Sequence, residues 1–145
     1  MIAIASDHAG FAFKEKTKAL LDALNIEYRD YGTRTPEACD YPDFAHQAAK
    51  AVSDGVCNEA IIVCGTGIGV SMVANKHKNV RAAMCTSEIA AELSRKHNNA
   101  NVLCFGERLV TWETAEAMIQ KFLTTPFEEG RHTPRVEKIH SLTGC

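Results

Sequence analysis

Between Glu59 and Asn75 the chain reads E-A-I-I-V-C-G-T-G-I-G-V-S-M-V-A-N, an apolar run that breaks into three alternating glycines and turns apolar again. Ala60 to Val63 show no polar alternation and are mostly β-branched, the pattern of a strand covered on both faces. Gly65, Gly67 and Gly69 leave room for several backbone N–H groups to converge on one small anion as a helix begins. Cys64 stands at the lip of this loop, where a helix N-terminus and clustered donors favour a thiolate, suited to act as base or nucleophile. The plainer reading is a buried cysteine before a tight turn. Familiar glycine-loop machines do not fit. A P-loop needs Gly-Lys-Ser/Thr, a dinucleotide fingerprint needs a third glycine at position 70, and a cysteine phosphatase loop needs an arginine there; Val70 serves none of them.

The rest of the chain alternates strand and helix around this stretch. Strands are predicted at Ile2 to Ser6, Ile26 to Tyr31, Asn79 to Cys85 and Ala100 to Phe105. Helices are predicted from Gly10 to Asn25, with Phe13, Thr17, Leu20, Leu21 and Leu24 on one face, from Asp43 to Ser53, and from Ser87 to His97 with Ser87 as cap. Another carries the stripe Trp112, Ala115, Ile119 and Phe122. The helix Ile68 to Asn75 is apolar almost all round, which predicts burial against more than one neighbour, as at a subunit interface. Five such alternations predict a three-layer α/β/α Rossmann-like sandwich with a five-stranded parallel sheet. Pro134 starts a last short helix, about 133–143, whose narrow stripe of Val136 and Ile139 needs docking, for instance on a partner subunit.

At 145 residues and 46% hydrophobic composition the chain has the size of one domain spanning 1–145. A net charge of −2 with scattered Lys and Arg gives no general case for nucleic acid or a membrane surface. The N-terminus enters strand-like sequence without a basic region and long apolar segment, so a cytoplasmic enzyme or binding protein is expected. Six cysteines without a C-x-x-C pair suggest reduced thiols, and His46, His77 and His140 show no ligand spacing, so no metal is assigned.

In open parallel sheets ligands bind beyond the carboxyl ends of the strands. Asp7 and His8 follow the first strand and Cys64 and Gly65 end the third; a flavodoxin-like order sets those strands side by side and brings these residues into one crevice. Asp7 is equally a cap for the helix at Gly10, and His8 an exposed loop residue. His97, at a helix C-terminus, is explained by the dipole as readily as by proton transfer. Asn98 and Asn99 serve as stop signals, and Arg108, Arg131 and Arg135 either grip a phosphate or form a solvated face.

Several motifs together carry a resemblance: I-A-I-A-S-D-H-A-G-F at the start, Y-P-D-F at Tyr41 to Phe44, C-G-T-G-I-G, K-H-N-N-A-N at Lys96 to Asn101, and G-R-H-T-P-R-V-E-K-I near the end. Over essentially its whole length the chain resembles the type B ribose-5-phosphate isomerases, whose wider group includes galactose-6-phosphate and allose-6-phosphate isomerases. The resemblance implies a cofactor-independent aldose–ketose isomerase of the pentose phosphate pathway, acting on ribose 5-phosphate and ribulose 5-phosphate through an enediolate. It makes Cys64 the base and His97 the ring-opening acid. Thr66, with the N–H groups of Gly65, Gly67, Ile68 and Gly69, becomes the anion hole. It assigns Asp7, His8, Tyr41, Asn98, Arg108, Arg131 and Arg135 to the sugar and its phosphate. It also implies active sites shared between subunits, in a homodimer or dimer of dimers. Heteromeric members of the group divide the catalytic residues between two kinds of subunit; Cys64, Asp7, His8 and His97 on one chain favour a homo-oligomer.

Overall fold

The three most continuous apolar runs occupy the middle of the sheet. In the computed structural model, which describes residues 1–145, β1 (Ile2–Ser6), β3 (Glu59–Cys64) and β5 (Val102–Gly106) are adjacent and buried throughout except at Glu59. The shorter β2 (Tyr28–Asp30) and β4 (Ala82–Met84), both only partly covered, take the edges. All pairings are parallel, in the order β2-β1-β3-β5-β4. The adjacency of β1 and β3 is that of a flavodoxin-like order, but the last two strands are exchanged. Val102 to Phe105 can lose water on both faces without cost, whereas Met84 stays exposed, so β5 goes inside and β4 outside.

Strand alternation sorts the core into two. Ile2, Ile4, Ile61, Val63, Leu103 and Phe105 face α1 (Phe11–Ala23), α4 (Glu88–Asn98) and α5 (Trp112–Thr124). Ala3, Ala5, Ala60, Ile62 and Cys104 face α2 (Tyr41–Ser53) and α3 (Ile68–Ala74). Helices on both faces of a parallel sheet give the expected three layers. The last helix, α6 (Thr133–Thr143), lies outside them and buries only Val136.

Several boundaries move. A 3₁₀ turn, His8–Gly10, precedes α1, with Asp7 accepting a hydrogen bond from Gly10 N at 3.1 Å. With Pro42 in its first turn, α2 begins two residues before the predicted Asp43. The second and fourth strands contract to the residues that find pairing partners. Leu24, predicted on the buried face, falls just past the end of α1 and is 45% exposed, while Lys14 takes a buried place at 1% exposure, its Nζ 2.6 Å from Asp30 Oδ2 and 2.9 Å from Glu15 Oε1. As predicted, α3 packs against more than one neighbour, α2 and the sheet, while Ile68 and Met72 stay exposed on the single chain. All six cysteines are free, and no helix is long and apolar enough to cross a membrane.

Candidate active site

At the carboxyl ends of β1, β3 and β5 a cleft of about 220 Å³ is lined by Asp7, His8, Ala9, Tyr41, Cys64, Gly65, Thr66, Gly69 and Arg108. Register explains the convergence. Ser6 pairs with Val63 and Cys64 with Gly106, so the residues that follow each strand emerge together. A larger groove of about 490 Å³, lined by Leu24, Ile26, Glu88 of α4 and residues of α5, contains no cysteine or histidine. The smaller cleft suits a small polar metabolite.

Cys64 is buried, and its Sγ accepts a hydrogen bond from Gly67 N at 3.0 Å, the kind of donor that a thiolate uses. Gly67 makes this possible with a φ of +79°, while an added Cβ would come within 2.7 Å of the Phe105 backbone. The next N–H, of Ile68, donates to Thr66 Oγ1 at 3.2 Å. Gly67 and Ile68 therefore spend their N–H groups on holding the loop, and only Gly65, Thr66 and Gly69 of the predicted anion hole face the cleft. Burial pushes Cys85 up to about 11 and Cys104 well above the ordinary thiol value.

Around the sulfur, the Tyr41 ring lies against Gly69 and the Arg108 guanidinium against Gly65. Asp7 is both things the sequence allowed: a cap for Gly10 and a wall of the cleft. The His8 Nδ1 sits 3.2 Å from both the N–H and the carbonyl of Cys39. Sequence reading passed over Cys39, because thirty-one residues separate it from His8. It also passed over Gly106, which lies directly beneath Thr66.

The remaining candidates form a second group at the opposite edge of the sheet. His97 and Asn98 end α4, ahead of the start of β5, while Arg108 follows its far end. From Val102 to Gly106 the strand rises about 13 Å. His97 stacks on His132, with ring centroids 4.5 Å apart and planes 15° apart, and Glu128 Oε2 lies 3.5 Å from His132 Nε2. Arg131 and Arg135 are exposed on the 3₁₀ turn Gly130–His132 and the first turn of α6, on either side of His132. Asn98 lines a crevice with Arg81 and Ile139. One chain thus brings Cys64, Thr66, Gly65, Gly69, Asp7, His8, Tyr41 and Arg108 together, and holds His97, Asn98, Arg131 and Arg135 elsewhere.

The donor atoms of His97, Glu128 and His132 lie within 4.8 Å of one another. Each imidazole lone pair points along its own ring plane, so two nearly parallel rings do not aim at one ion; this is stacking rather than chelation. His46 and His77, which share no ligand spacing in the sequence, do meet across α2 and the end of α3, with Nδ1 and Nε2 2.8 Å apart.

A family sequence model described as Ribose/Galactose Isomerase matches residues 2–139. The chain is 43% identical to ribose-5-phosphate isomerase B of Escherichia coli, over 97% of this chain and 95% of that protein. A solved ribose-5-phosphate isomerase B of Clostridium thermocellum superposes with a TM-score of 0.96 at 42% identity, covering 99% of this chain and 97% of that one. The Mycoplasma genitalium enzyme, solved with bound ribulose-5-phosphate, superposes with a TM-score of 0.95 at 41% identity, over 99% and 95% of the two chains. With nearly its whole length matched, and with Cys64 and its glycine loop closing the cleft, the chain belongs to the ribose/galactose isomerase family.

Proposed function

We propose that this chain interconverts D-ribose 5-phosphate and D-ribulose 5-phosphate through an enediolate, without a cofactor. The observation that carries the reading is Cys64, a buried thiol held by the Gly67 N–H at the mouth of a small polar cleft. Family membership supports it, as does the related enzyme that binds ribulose-5-phosphate.

The chemistry follows from the groups present. The aldose arrives as a closed furanose. His97, as the imidazolium, gives a proton to the ring oxygen while the anomeric hydroxyl loses one, freeing the C1 aldehyde. Cys64, as thiolate, takes the C2 proton, and charge moves onto O1, where the N–H groups of Gly65, Thr66 and Gly69 stabilise it. The thiol returns its proton to C1 and the hydroxyl proton passes from O2 to O1, leaving the ketose. Asp7 and Tyr41 hold the sugar; His8, Arg108, Arg131 and Arg135 hold the phosphate.

His97, Asn98, Arg131 and Arg135 lie a strand's length from Cys64 on the same chain, so in this reading they complete the cleft of a second copy. The active unit is then a homodimer or a dimer of dimers, with α6 docked near the join. Exposed Ile68 and Met72 on α3 provide apolar surface for such a contact.

Two assays separate the steps. Ribulose 5-phosphate carries phosphate on the hydroxyl that would close its ring, so deuterium wash-in from solvent reports enolisation alone, while ketose formation from ribose 5-phosphate also requires ring opening. Cys64→Ala is expected to lose both by a factor of about 10³. His97→Ala is expected to lose ketose formation about 10²-fold and keep the exchange. Full activity in Cys64→Ala would remove the base. Tight binding with no turnover by the parent protein would replace the isomerase with a sugar-phosphate sensor. Allose 6-phosphate and galactose 6-phosphate, run alongside, test the substrate's length.

A further inference from the structure

We infer that His132 is a positioning residue for His97: it stacks beneath the acid's ring and fixes the plane in which the proton is delivered. The inference rests on the assignment of His97 above. His97 stands on the last turn of α4, where helices fray, and no hydrogen bond within the chain holds its ring. Its ordered neighbour is His132, more than nine-tenths buried, stacked at 4.5 Å and 15°. Aromatic pairs at this spacing restrain one another beyond the area they bury.

His132 is itself fixed from several sides. Its Nε2 has no hydrogen bond and faces the Glu128 carboxylate at 3.5 Å, so rotation of the ring would carry that nitrogen away from this carboxylate. Its backbone N–H donates to Glu129 O at 3.1 Å. The segment that carries it is tied to the last turn of α4: Glu128 N donates to Lys96 O at 3.1 Å and Arg95 Nε to Thr125 O at 3.3 Å. The backbone of the residue before His97 thus anchors the segment that seats His132. Both rings belong to one chain, so the stack is already formed before any second copy arrives.

A general acid must present its N–H along one line, and small errors of placement cost large factors in rate. His132→Ala is expected to lower kcat for ribose 5-phosphate about tenfold, with KM little changed and deuterium wash-in to ribulose 5-phosphate intact. His132→Phe, which still stacks, is expected to recover most of that loss. Normal ketose formation in His132→Ala would overturn the inference. So would equal loss of both reactions, which marks a merely structural role, or a His132→Phe variant as damaged as His132→Ala. Should His97→Ala itself keep full turnover of ribose 5-phosphate, the assignment of the acid fails, and that result is read without reference to His132.

Discussion

At the carboxyl edge of the sheet, Cys64, Asp7 and Arg108 are set by three paired strands, and a displacement of any of them would disturb the core. At the amino edge, His97, Arg131 and Arg135 depend on the end of a helix, a 3₁₀ turn and α6, which buries one residue. The first group is built like an interior and the second like a surface. Rigid placement suits the proposed base and anion hole, where charge would develop. The looser group suits contacts completed when another surface closes over them.

The sharpest test mixes chains that are defective at opposite edges. Cys64→Ala and His97→Ala chains, each inactive alone on ribose 5-phosphate, should regain about a quarter of parent activity when co-expressed in equal amounts, since half the dimers are mixed and each has one intact site. Failure of the mixture would put both groups to work within one chain.

A second test compares two glycines with similar left-handed backbones. Gly67→Ala, in the loop beneath the cleft, adds a clash at 2.7 Å to a φ of +79° and should cost about 3 kcal/mol in urea unfolding. Gly130→Ala has a φ of +57° and open space around it, and should cost about 1 kcal/mol. Equal losses would dissolve the contrast between packed and open edges.

The third concerns charge. Burial would raise Asp30, at the carboxyl end of β2, but Lys14 and the Gly32 N–H hold it below its ordinary 3.8. Its contribution is present above that value and fades as pH falls through the lowered one. Burial raises Glu59, at the amino end of β3, above its ordinary 4.5, and Arg95 offsets this only in part. Its contribution is present below 4.5 and is lost as pH rises through the raised value. At pH 7, discounting for partial exposure, Asp30→Asn should destabilise by about 2 kcal/mol and Glu59→Gln should stabilise by roughly 0.5 kcal/mol. Loss of stability in both variants would contradict the opposite signs.

What could be read from the sequence was what neighbours in the chain determine. The Glu59 to Asn75 stretch declared strand, loop and helix because burial, glycine geometry and helix initiation are local there. The alternation of elements gave the layers. The exchange of β4 and β5 was not legible, since it depends on which strand tolerates water. Lys14 reads as a surface residue until Asp30, sixteen positions away, supplies its partner. His132 stood out only as one letter of the closing motif, because the ring it stacks on lies thirty-five residues earlier. The adjacency of the first and third strands already placed Asp7, His8 and Cys64 in one crevice, and the register of β5 added Arg108; the distance to His97 emerged only from the sheet.

The length of β5 also bears on how activity depends on amount. If base and acid of one site belong to different copies, turnover per chain is governed by mass action. Dilution below the dissociation constant of the pair would silence perfectly folded protein, and concentrating it again would restore the rate without any refolding.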